Sequence, residues 1–188
     1  LWSTFVEAIN SPLRHFGEAR SMLTKIQMPS EAVVLAGTGE LLFNLCVRLV
    51  AVLAVCLAIG YVPPWTIVLS PLPMFALLVL GVALGLILAP FGLLYDDVQR
   101  GLGVATTFWF FVTPVVYPVP MRGAGEWMTY LNPVNPLLTA ARDLFALGSL
   151  QHPKMMLGAA ALAFVLLAAG WILFLLALPH VIVRLGNR

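Results

Sequence analysis

Polar and apolar positions along this chain fall into long blocks rather than short alternations. From Leu49 to Met121 the only charged residues are Asp96, Asp97 and Arg100, all within five positions. Two apolar blocks joined by a short polar turn satisfy that pattern as a hairpin through a membrane. A hydrocarbon core of about 30 Å needs about 20 apolar residues of helix. By that measure the sequence predicts four spans, over about 41–61, 67–94, 98–117 and 155–178. Tyr61-Val62-Pro63-Pro64-Trp65 closes the first. Its prolines stop a helix, and its Tyr and Trp suit the membrane interface. The second contains Pro71, Pro73 and Pro90, so irregular or kinked ends are expected. Its Gly81 and Gly85 are spaced GxxxG, with Ala89 continuing the face. Small residues at that spacing let helices approach closely, and packing within the chain is the simpler reading. Asp96 or Asp97 is placed to cap the third span and meet the positive end of its helix dipole. Pro179 follows the fourth.

The stretch 118–154 is more polar, yet it is not simply a loop. Leu131-Asn132-Pro133-Val134-Asn135-Pro136 is turn chemistry. Leu137, Leu138, Ala141, Leu144 and Phe145 then recur at helical spacing, with Arg142 and Asp143 off that face. A short amphipathic or re-entrant helix fits better than a fifth span. Non-helical backbone at such depth must be buried in protein or line a wet cavity.

Composition agrees. The chain has 188 residues, 61% hydrophobic and 10% charged, against about 25% charged in soluble domains. The net charge of +2 includes no basic run suited to nucleic acid. Cys46 and Cys56 lie ten positions apart on one predicted helix. About 15 Å of rise separates them, too far for a disulfide. Arg14, Arg20, Lys25, Arg100, Arg184 and Arg188 fall on one predicted side, against Arg122, Arg142 and Lys154 on the other. The positive-inside rule puts the first group, the Asp96 turn and the C-terminus in the cytoplasm. Leu1 to Val6 is apolar but too short to span, and no initiator Met or signal peptide precedes it. The chain reads as an N-terminally truncated piece beginning inside an earlier span.

Enzyme and metal chemistry find no foothold. Lys25 and Lys154 are the only lysines, and neither stands in a GxxxxGK[ST] loop. His15, His152 and His180 are scattered, and there is no HExxH or Cys/His cluster. We expect no catalytic residue and no metal. Glu40, Asn44 and Arg48 recur at i, i+4 and i+8, along one helical face. An arginine at mid-helix costs about 2.5–3.5 kcal/mol on insertion scales, so it must face a partner or water. A structural salt bridge and a polar lining for a translocation path both meet that need. The aromatic run Phe108-Trp109-Phe110-Phe111, followed by Tyr117, suits glycan stacking or helix packing equally.

The order of these elements resembles the permease subunits of ABC-2-type exporters, above all the branch that exports O-antigen, capsule and teichoic acid. Tyr95 and Asp97 match a Tyr-Arg-Asp-Ile turn. Thr113, Pro114, Val115 and Tyr117 match a Thr-Pro-Val-Ile-Tyr segment. Leu131, Asn132 and Pro133 match a Leu-Asn-Pro turn that is followed by an arginine, here Arg142. Asp96 departs from the usual Arg.

The resemblance implies an all-α polytopic fold, an ABC-2 (type V exporter-like) transmembrane domain with about four full helices plus a re-entrant segment. On that template 1–20 is the inner part of helix two, and 21–31 is a coupling helix. Helix three covers 36–61, helix four 67–94 and helix five 98–117. An external, re-entrant segment covers 118–154, helix six 155–178 and a cytoplasmic tail 179–188. It further implies a homodimer in the cytoplasmic membrane of a bacterium. A separate ABC ATPase carrying ATP and Mg would dock on Lys25, Ile26, Gln27, Met28 and Pro29, and this chain would bind no cofactor itself. Phe108, Trp109, Phe111, Tyr117, Asn44 and Arg48 would line the path of a lipid-linked polysaccharide. A drug or lipid exporter of the same fold is the alternative. An ion-coupled carrier is a more distant one, because it needs a mid-membrane carboxylate.

Overall fold

A computed structural model describes residues 1–19, 30–95, 97–113 and 131–186. Within them six α-helices follow one another: α1 (Trp2–Glu18), α2 (Ser30–Ile59), α3 (Pro71–Leu94), α4 (Asp97–Val112), α5 (Val134–Ala146) and α6 (Pro153–Gly186). A 3-10 turn, Trp65–Leu69, leads into α3. There is no strand among the described residues. Among the described residues three stretches are long and apolar enough to cross a membrane, Glu31–Ile59, Trp65–Leu94 and Pro153–Val181. The expected span 98–117 is represented by α4, whose 16 residues rise about 24 Å. Pro114 to Tyr117 lie outside the described residues.

α3 is the central post. Leu77, Leu80, Ala83, Leu86 and Ala89 are all fully or almost fully buried, because α1, α5 and α6 cover it. In lipid, such helices gain little from hiding apolar surface and associate through close packing. Glycine supplies that closeness. A Cβ on Gly81 would stand 2.5 Å from Ala8 Cβ, and one on Gly85 would strike the Ile9 carbonyl oxygen. The GxxxG face is therefore spent inside the chain, against α1. On the opposite side, a Cβ on Gly170 of α6 would meet the Ala83 carbonyl oxygen at 2.9 Å. Phe16 and Phe174, both fully buried, stack with centroids 4.4 Å apart at the α1–α6 contact.

Element ends differ from expectation in three places. α2 begins at Ser30, ahead of the expected 36, and so takes in the last residues of the 21–31 segment. It stops at Ile59 on Gly60, whose φ is +77°. Gly60 N–H donates to Leu57 O (3.1 Å) and Tyr61 N–H to Cys56 O (2.9 Å). Those paired bonds are a Schellman end, reached before the prolines act. α6 does not stop at Leu178. It runs through Pro179 to Gly186, because a proline removes one backbone bond while packing of Leu178 and buried Val181 holds the helix.

α5 is the expected helix after the Asn-Pro turn, and it dips into the protein. Val134 and Leu137 at its start are fully buried. Its end meets the segment after α2, where Thr66 Oγ1 donates to Leu144 O at 2.9 Å and Tyr61 Oη to Ala146 O at 3.4 Å. Arg142 is exposed as expected, whereas Asp143 is buried, 5% exposed. Its carboxylate accepts the Gln151 N–H at 3.4 Å, and its carbonyl oxygen accepts Leu147 N–H and Gly148 N–H. Closing that turn accounts for the inward position.

Candidate functional site

Polar side chains inside the apolar bundle gather at two places. The first is the seam between α1 and α2. On α1, Thr4, Glu7, Ser11 and Arg14 recur every three or four residues, so they share one face. On α2, Glu40, Asn44 and Arg48 do the same, and the helices run antiparallel along this contact. Arg48 donates to Glu7 Oε2 at 2.5 Å and to Thr4 Oγ1 at 2.7 Å. Asn44 Nδ2 donates to Glu7 Oε1 at 2.6 Å. Arg48 and Asn44 therefore converge on one carboxylate, and Glu7 uses both oxygens. Further along, Arg14 meets Glu40 at 2.6 Å, and His15 Nε2 stands 3.2 Å from the same carboxylate.

This seam is what holds α2. Leu41, Leu45 and Val33 are buried along it, while Val47, Val50, Val55 and Leu57 face outward. The charge on Arg48 is matched by Glu7 rather than left to lipid, which is the structural meaning of an otherwise costly residue. Sequence reasoning missed Glu7. It stands next to the apolar stretch that is too short to span, although the spacing of Thr4, Glu7, Ser11 and Arg14 is a legible signal. Glu7 is also a carboxylate inside the bundle, the feature an ion-coupled carrier would need, but Arg48 and Asn44 already occupy it.

The second place is a knot around Asn132. Its Nδ2 donates to Thr113 Oγ1 at 2.8 Å. Its Oδ1 accepts from Val134 N–H at 3.1 Å and from Trp109 Nε1 at 3.3 Å. Thr113 Oγ1 in turn donates to Trp109 O at 2.9 Å. Asn132 thus forms an Asx turn just ahead of α5 while tying it to the end of α4. Three residues chosen from separate sequence motifs meet here. The Trp109 ring also packs edge-on against Phe5 (5.4 Å) and Trp2 (6.5 Å), so α1 joins the same cluster. Phe108 and Phe111 take another side of α4 and are 70% and 69% exposed.

Residues 11–146 match the ABC-2 type transporter family. The chain belongs to that family. Over 176 residues it is 29% identical to the O-antigen export system permease protein RfbA of Myxococcus xanthus, covering 92% of this chain and 68% of the relative. The matched family region takes in the second half of α1 and all of α2 to α5. Both polar clusters fall inside this ABC-2 permease domain apart from Thr4, Glu7 and the α1 aromatics Trp2 and Phe5.

Other residues of the ABC-2 pattern are dispersed. Tyr95 ends α3 with its side chain largely exposed. Asp97 stands in the first turn of α4, where a negative charge suits the helix dipole, and lies 3.7 Å from Arg100. Pro133 occupies the N-cap position of α5. Lys25, Ile26, Gln27, Met28, Pro29, Asp96, Pro114 and Tyr117 lie outside the described residues. Among those described, no cluster of His, Cys, Asp or Glu is arranged to hold a metal.

Between α2 and the body formed by α1, α3 and α5 lies a cavity of about 350 Å³. Leu45, Leu49 and Val52 form its α2 wall, and Leu138 and Phe145 its α5 wall. Arg48 and Arg142 are its charged lining residues.

Proposed function

We propose that this ABC-2 permease is the membrane subunit of an ATP-driven exporter for a lipid-linked polysaccharide of the O-antigen type. The observation that carries the reading is the alignment with an O-antigen export permease along 92% of the chain. In this reading two copies form a homodimer, and each engages a separate ABC ATPase through Lys25 to Pro29. The permease itself makes and breaks no covalent bond. Closure of the ATPases on nucleotide favours one state of the dimer over the other, and that differential affinity drives the shift.

Phe108 and Phe111 carry the cargo contact in this reading, together with Tyr117. Exposed aromatic faces on one helix offer sugars a stacking surface without a tight site. Asn44, Arg48 and Trp109 are engaged in packing and hydrogen bonds, which supports a role in shaping the path wall. Deletion of the gene, followed by complementation, tests the function. Surface O-antigen should disappear and return with wild type. A strain that keeps its full polymer ladder after deletion would contradict the cargo. Alanine at Phe108 and Phe111 together should lower export several-fold at unchanged expression, and undiminished export would remove these residues from the path. A cysteine in place of Gln27 should crosslink to the ATPase in at least one nucleotide state.

A further inference from the structure

We propose that Asn132 is a positioning residue for export. It fixes the rotation of α4 about its own axis, and with it the direction in which the Phe108 side of that helix faces. The inference rests on the export reading above, in which Phe108 meets the cargo, and adds the residue that aims it.

α4 has two unlike sides. Leu102, Thr106, Trp109 and, just past its end, Thr113 recur at i, i+4, i+7 and i+11, so they form one stripe. That stripe faces the body of the protein. Thr106 and Thr113 are buried, and Leu102 and Trp109 pack against the cluster that holds Phe5, Leu80 and Val134. Val104 and Phe108 lie on the nearly opposite side of the helix and are 59% and 70% exposed.

Apolar packing alone fixes that rotation loosely, because it carries no direction. Among the described residues of α4 only Thr106 is buried. Its hydroxyl turns back on Leu102 O and Gly103 O of its own helix, at 2.9 and 3.1 Å. Asn132 supplies the direction, since hydrogen bonds weaken steeply when misaligned. One amide reaches two positions of the inner stripe a turn apart. Its Nδ2 donates to Thr113 Oγ1 at 2.8 Å, and its Oδ1 accepts from Trp109 Nε1 at 3.3 Å. A single bond is a pivot, whereas two bonds to residues four apart resist turning in either sense.

The other end of the amide is held as well. The same Oδ1 accepts Val134 N–H at 3.1 Å, and Val134 and Leu137 at the start of α5 are fully buried. α5 is therefore the fixed frame against which α4 is aimed. The turn ahead of α5 needs only the bond to Val134. Donation to Thr113 and the reach to Trp109 contribute nothing to that turn, and both act on α4.

The test uses spin labels on the full-length permease with its ATPase in lipid nanodiscs, native cysteines replaced. Ala105 and Thr107 are both exposed and flank the outer side of α4 to left and right, so nitroxides at Ala105→Cys and Thr107→Cys report rotation. Thr113→Val keeps the side-chain shape and removes the hydroxyl. It should make one nitroxide less mobile and the other more mobile, and Asn132→Ala should do so to a larger extent. Thr113→Ser restores the acceptor and should return both spectra to the wild-type form. In cells with matched amounts of permease, surface O-antigen should fall several-fold in Thr113→Val and Asn132→Ala and stay near wild type in Thr113→Ser. Unchanged spectra overturn the proposal. Mobility that rises at both sites also overturns it, because that marks a helix merely loosened. Rotation with undiminished export overturns the positioning role. The two readings fail separately. Undiminished export with alanine at Phe108 and Phe111 removes the cargo contact and leaves the nitroxide result standing, whereas unchanged spectra remove the lock and leave the cargo contact standing.

Discussion

At the scale of single residues, Glu7 and Asn132 do the most with one side chain. Glu7 answers Arg48 and Asn44 together, so its loss leaves a cation and an amide facing lipid or cavity. Glu7→Ala should destabilise the permease by about 2–3 kcal/mol, below the ~3–5 kcal/mol of a fully buried pair because the Arg48 side chain is 41% exposed. Thermal unfolding in detergent micelles measures it. The reciprocal variant Glu7→Arg with Arg48→Glu should recover part of the loss, and a double variant as unstable as the sum of the singles would show that the pair is not coupled. Asn132 is a different case, because its amide bonds are neutral. Asn132→Ala strands the Val134 N–H and the Trp109 indole and should cost about 1–3 kcal/mol. Asn132→Asp keeps both acceptor contacts but sets a carboxylate oxygen against Thr113 Oγ1 and buries a charge at a site 7% exposed, so it should cost at least as much in the same assay. The sequence supplies one side of each cluster. Glu40, Asn44 and Arg48 are visible as a stripe in a long helix, and Asn132 as turn chemistry. Their partners are not, because Glu7 and Trp109 meet them from elements far away in the chain, and no local pattern encodes which helices touch.

At the scale of elements, the small residues of α3 decide where the neighbours sit. Gly85 approaches the Ile9 carbonyl, a backbone atom that cannot rotate away. Gly85→Val should push α1 off α3 and cost at least about 1–3 kcal/mol, the usual penalty for overpacking. It should also loosen the Glu7–Arg48 contact, since α1 carries Glu7. Gly101 gives the opposite expectation. It lies within α4, and a methyl group added there would have nothing within 4 Å, so Gly101→Ala should stabilise by about 0.5–1 kcal/mol through helix propensity. A Gly85→Val variant that melts with wild type would mean that α1 does not pack through this face. Apolar block length locates α2, α3 and α6 well, since a membrane demands that length of any crossing helix. Ends are less legible. Gly60 stops α2 through a left-handed turn ahead of the prolines, and Pro179 fails to stop α6 because packing outweighs one lost hydrogen bond. The dip of α5 is readable from its apolar spacing, whereas the inward turn of Asp143 depends on Gln151 and Gly148 and has no periodic signature.

At the scale of the whole molecule, sidedness is the property on which the proposed coupling and export both depend. The charge count places the C-terminus and the turn between α3 and α4 in the cytoplasm, with the turn after α2 outside. The fold is compatible with that arrangement. α2 and α3 run in opposite directions, joined at Tyr61 to Ser70, while the Asp97 turn lies at the far end of α3. A single set of cysteine substitutions distinguishes the two orientations. Native Cys46 is exposed and Cys56 half-buried, so both are first replaced with serine or alanine. Val62 is 82% exposed at the outer turn, and Asp97 has a side chain 92% exposed at the opposite one. In intact cells a membrane-impermeant maleimide should label Val62→Cys and spare Asp97→Cys. Opening the membrane should make Asp97→Cys react as well, along with Arg184→Cys near the end of α6. Those two positions should behave alike because α6 returns alongside α3 to the same end, where Phe174 meets Phe16 and Val181 packs near Leu93 in one cluster. Labelling of Asp97→Cys but not Val62→Cys in intact cells would invert the molecule. In the proposed reading, an ATPase in the cytoplasm could then no longer engage the permease through Lys25 to Pro29. The same experiment therefore fixes which face of the bundle is open to the cytoplasmic partner proposed above.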